Sequence, residues 1–78
     1  MTAKQQELLK SKKWTEFLMT LLVNKQYVVT VDSVRDIESL KAIVWRVNAR
    51  GELEHKFNTR ADYRQRALII NVEPRTDD

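Results

Sequence analysis

The chain has no cysteine, one glycine, one proline and one histidine in 78 residues. Each scarcity closes off a class of chemistry. Without cysteine there is no disulfide staple and no thiolate nucleophile or ligand, which fits a reducing cytosol. One glycine cannot build a phosphate-cradling loop, whose backbone needs glycine at several positions. It also leaves no flexible low-complexity linker, and no internal repeat is visible. The apolar run Phe17 to Val23 is too short to span a bilayer. A soluble, cytoplasmic protein without a membrane or metal partner is expected.

His55 has no cysteine or second histidine to complete a metal site. It reads as a structural residue beside Leu53 and Phe57. The acids Asp32, Asp36 and Glu38 do not make a calcium loop, because the sixth and twelfth positions from Asp32 are Ile37 and Ile43. That loop requires glycine and glutamate there. Nine serine and threonine hydroxyls are present, yet none has an evident base with an orienting partner. No catalytic residue and no cofactor is therefore expected, and the chain reads as non-enzymatic.

What is present suffices for one small domain. Hydrophobic residues make up 42% and charged residues 32% of the chain, a soluble globular balance. The net charge of +3 is unevenly placed: residues 1–25 hold five lysines against two glutamates, while the rest is balanced.

Residues 3–23 predict a helix, with Thr2 and Gln5 as a capping box. Trp14, Phe17, Leu18, Leu21 and Leu22 follow its apolar stripe. Asn24 suits the exit from that helix. Residues 26–32 switch to β-branched and aromatic residues and predict a strand. The segment from Ser33 to Gly51 supports two readings. As a helix, Ser33 caps it, Ile37, Leu40, Val44 and Val47 give a stripe, and Gly51 ends it. As a strand, residues 41–49 alternate, and Asn48 to Gly51 makes a hairpin turn into 52–58 with Gly51 at positive φ. The hairpin is preferred, because Leu53, His55 and Phe57 alternate beyond the turn. Residues 60–66 then read as a short helix and 67–72 as a further strand, with one continuous helix over 60–72 as the alternative.

The expected fold is α+β. A long N-terminal helix packs on one face of a three- or four-stranded antiparallel sheet, and a short helix lies near the C-terminus. The domain spans residues 1–73, with 74–78 as a disordered tail. Its core is expected to bring Trp14, Phe17, Leu18 and Leu21 onto Val29, Val31, Ile43, Trp45 and Phe57.

Two binding functions follow. The first is a protein-binding module of inhibitor or adaptor type, open to self-association, using the sheet face opposite the helix: Val28, Thr30, Ala42, Val44 and Arg46. The second is low-specificity nucleic-acid binding through Lys10, Lys12 and Lys13 with Arg60, Tyr63, Arg64 and Arg66. On a helical wheel the three lysines fan around the axis rather than forming a row, and Trp14 sits on the buried stripe. Both observations favour the protein partner.

Overall fold

The computed structural model describes residues 1–75. It shows an α+β domain of three helices and a three-stranded antiparallel sheet. The elements run α1 (Ala3–Lys10), α2 (Trp14–Met19), β1 (Lys25–Thr30), α3 (Val34–Arg50), β2 (His55–Asp62) and β3 (Ala67–Pro74). The sheet order is β1-β3-β2, so the last strand sits between the first two and α3 crosses over it.

The predicted N-terminal helix is broken in two. The Thr2–Gln5 capping box starts α1 as expected. Ser11 then closes it, and Lys12 enters the left-handed region at φ 58°. The Lys12 N–H donates to Leu9 C=O at 3.0 Å and the Lys13 N–H to Leu8 C=O at 2.9 Å. That pair of bonds is the Schellman arrangement that ends helices, here with lysine in the place glycine usually takes. The break has a packing cause. It frees α2 to drive Trp14, Phe17 and Leu18 into the core, while α1 folds back against α2.

The segment after β1 corrects the hairpin reading. Residues 34–50 form the longest helix, which is central rather than N-terminal. Ser33 caps it, its Oγ accepting from the Asp36 N–H at 3.4 Å. Gly51 ends it at φ 65°. The positive φ expected of Gly51 is present, as a helix terminus and not a hairpin turn. Ile37, Leu40 and Val44 face the core from α3. Trp45, expected inside, is 73% exposed.

The short helix expected over 60–66 is absent too. β2 runs on to Asp62, and residues 63–66 are the turn into β3. Asp62 shapes that turn by accepting the Gln65 N–H at 3.1 Å, and Arg66 takes the left-handed conformation at φ 51°. The core joins Trp14, Phe17, Leu18 and Leu21 to Val29, Ile37, Leu40, Val44, Phe57, Leu68, Ile70 and Val72, with Val31 and Ile43 partly buried against it. Of the expected tail, Pro74 closes β3 and the Arg75 N–H donates to Glu54 C=O at 3.0 Å. Residues 76–78 lie outside the described part.

Candidate interaction edge

The helices cover one face of the sheet only. Tyr27, Val29, Phe57, Leu68, Ile70 and Val72 point under them; the alternate residues face outward. This open face is polar and electrically balanced. Cross-strand rows place Gln26, Asn71 and Asn58 together, then Val28, Ile69 and Arg60, then Thr30, Ala67 and Asp62. Lys56 stands opposite Glu73. Among the described residues no aromatic side chain lies on this face, so it offers no platform on which a base could stack.

The two sheet edges are treated differently. At β2 the Arg75–Glu54 bond sets the ladder, so Lys56, Asn58 and Arg60 turn their backbone groups toward β3 while Phe57 turns its own outward. Asn48 of α3 meets it there. Its Oδ1 accepts the Phe57 N–H at 2.9 Å and its Nδ2 donates to the Phe57 C=O at 2.7 Å. One side-chain amide thus stands in for a neighbouring strand.

At β1 nothing comparable occurs. The Val31 N–H donates to Arg66 C=O at 2.9 Å, which places Val31, Val29 and Tyr27 in hydrogen-bonded register with β3. Gln26, Val28 and Thr30 therefore direct their N–H and C=O groups away from the sheet. Among the described residues nothing pairs with them. The strand carries no charge between Lys25 and Asp32, and Val28 is 54% exposed. Bare, uncharged edges of this kind are what folded proteins ordinarily blunt with charge, proline or a covering element.

The surroundings of this edge are apolar. Among the described residues, Met1, Met19, Leu22, Val23 and Val28 are five of the eight large hydrophobic residues left exposed; Met1, Leu22 and Val28 line one recess, and Met19 and Val23 flank Leu22 in the chain between the end of α2 and β1. Helix α1 runs alongside the edge. Met1 and Gln5 share a recess with Lys25 to Val28 and with Leu22. Leu9, Lys10 and Lys12 share a second one, of ≈ 400 Å³, with Trp14, Val28, Thr30, Val31 and Asp32. Tyr27 braces the strand from within, its hydroxyl accepting the Leu22 N–H at 3.0 Å.

The residues expected to form the protein-binding face are divided by the fold. Val28 and Thr30 lie on β1 at its open edge. Val44 is buried at 3% exposure inside α3, and Arg46 is exposed on that helix. The open edge itself was not foreseen, because edge position depends on strand order, which short-range patterns do not encode.

The expected nucleic-acid residues are redistributed. Lys12 pairs with Asp36 at 3.4 Å and Lys13 approaches Glu16 at 3.9 Å. Arg66 Nη1 donates to Asp32 C=O at 3.4 Å, so the lysine and arginine groups meet at the corner between β1 and α3. Arg60 instead lies on the open sheet face, Arg64 in the β2–β3 turn. Tyr63 is committed to α3: its hydroxyl donates to Glu38 Oε1 at 2.6 Å and accepts from Lys41 Nζ at 3.3 Å. That hydrogen bond, with the Glu38 charge behind it, raises the Lys41 pKa above its ordinary 10.5.

His55 packs edge-on to Phe57 with centroids 5.3 Å apart. Its Nε2 is buried without a hydrogen-bond partner. No cluster of three metal-ligating side chains exists among the described residues. No described helix is long and apolar enough to cross a membrane. Compared with known protein families, curated proteins and solved structures, the chain matches none of them.

Proposed function

We propose that the chain is a small, non-enzymatic protein-binding module whose contact surface is the β1 edge and the apolar corner beside it. The observation that carries this reading is the coincidence of unpaired backbone groups at Gln26, Val28 and Thr30 with exposed Met1, Leu22 and Val28. Hydrogen-bonding groups supply direction at such an edge and apolar side chains supply burial. The test is capture of partners by the immobilised protein from lysate of its source cells, with nuclease present. A stoichiometric protein retained by the parent and lost with Leu22→Glu and Val28→Glu supports the reading. Retention by both variants, or loss on nuclease treatment alone, refutes it.

One observation favours a second reading, nucleic-acid binding. Lys10, Lys12 and Arg66 come together around Asp32 and Asp36, although they are far apart in the chain. The neighbouring carboxylates answer part of that charge, and the neutral sheet face adds none. The protein-binding reading therefore stands first.

A further inference from the structure

We infer that the β1 edge takes an extended, acidic segment of a partner protein, which adds to the sheet as a fourth strand antiparallel to β1 and runs beneath α1. The inference rests on the protein-binding reading and names the partner's chemistry. Three observations carry it.

The first is directional. Gln26, Val28 and Thr30 present donors and acceptors at the two-residue spacing that one added strand satisfies in full. Antiparallel addition continues a sheet whose existing pairs are all antiparallel.

The second is the groove itself. Helix α1 lies along the vacant side of β1 and supplies Leu9, with Trp14 at the start of α2, as an apolar wall. An added strand would turn every second side chain toward that wall, so alternate residues of the segment are apolar.

The third is charge. The excess of positive charge sits in residues 1–25, which build α1, α2 and the entrance to β1. Lys10 and Lys12 line the groove with Asp32 and Asp36, and Lys25 flanks it, so three positive groups stand against two negative ones; Lys12 holds Asp36, while Lys10 and Lys25 have no ion-pair partner among the described residues. An acidic segment is attracted to this groove, whereas a second copy of the chain would bring its own lysines against it.

The test is titration of the full chain, followed by amide resonances and hydrogen exchange. The probes are a capped eight-residue peptide alternating valine with glutamate and its twin with lysine for glutamate. The acidic peptide is expected to bind about ten-fold more tightly, by a margin that narrows with salt. It should protect the amides of Gln26, Val28 and Thr30. Val28→Pro removes an outward N–H and no bond to β3, so it should weaken binding about ten-fold while leaving thermal unfolding nearly unchanged. Lys10→Glu with Lys25→Glu should reverse the preference between the twins. Equal binding of the twins overturns the acidic partner. Protection of the same three amides that grows with protein concentration alone makes the occupant a second copy; the acidic segment then fails and the binding edge stands. If neither peptide nor concentration protects them, the inference and the binding edge fall together.

Discussion

Asn48 replaces a strand with one side chain. Both backbone groups of Phe57 end on it, and Phe57 is almost wholly buried. Asn48→Ala would leave a buried donor and acceptor unpaired, at a cost of about 2 kcal/mol. Urea unfolding measures that loss, and faster exchange of the Phe57 amide localises it. Asn48→Asp would keep the acceptor but set a carboxylate against the Phe57 carbonyl, so it should not restore stability. In the middle of α3, Lys41 carries a proton held more tightly in the native state than in the unfolded chain, chiefly by the Tyr63 hydroxyl. A group raised in this way contributes fully below 10.5, and its contribution fades as pH climbs through the higher folded value. Tyr63→Phe should bring the midpoint of the Lys41 methylene shifts, followed by NMR, back toward 10.5. It should also remove that part of the loss in stability above this pH. An unchanged midpoint would show that the Tyr63 bond does not hold the proton.

At the scale of elements, Gln5 ties two helices together. Its Oε1 accepts the Thr2 N–H at 2.9 Å, and its Nε2 donates to Thr20 Oγ1 at 3.1 Å and Thr20 C=O at 3.3 Å. Gln5→Ala should cost about 1–2 kcal/mol and raise exchange along α1 before the sheet opens. Uniform exchange throughout would mean that α1 is not separately anchored. The capping box was legible because Thr2 and Gln5 are local neighbours; Asn24 takes the left-handed conformation, at φ 64°, but in the turn before β1, because Thr20 has already closed α2. The core stripe from Trp14 to Leu21 was legible for the same reason. Helix α3 was not resolved from its alternative. Ile43, Val44 and Val47 favour a strand by local preference, and Ile43, Trp45 and Val47 alternate. Burial of Ile37, Leu40 and Val44 at helical spacing overrides that preference once sheet and helix pack. The β2–β3 turn misleads similarly: Thr59 and Asp62 resemble a helix start, but Asp62 serves the turn and Thr59 pairs with Ile70.

Across the whole molecule, exposed apolar residues and core residues separate into two populations with different consequences. Leu18 is fully buried, whereas Leu22, four residues on, is 58% exposed at the corner beside β1. Replacing Leu18 by Ala should cost about 2–4 kcal/mol, a large share of what a domain of this size possesses. Leu22→Ser should change stability by no more than about 0.5 kcal/mol, because it removes little buried surface. Such a residue contributes almost nothing to folding, yet its solvent exposure carries a continuing risk of non-specific association. The same corner holds the open strand edge, whose position no local pattern could reveal because it follows from β3 entering between β1 and β2. The two variants, compared by urea unfolding and partner capture, therefore separate folding from binding. Leu18→Ala should lower stability, and capture only as far as the folded fraction falls. Leu22→Ser should reduce capture at unchanged stability. A Leu22→Ser protein that unfolds far earlier than its parent would place this residue in the core and remove the corner as an interaction surface.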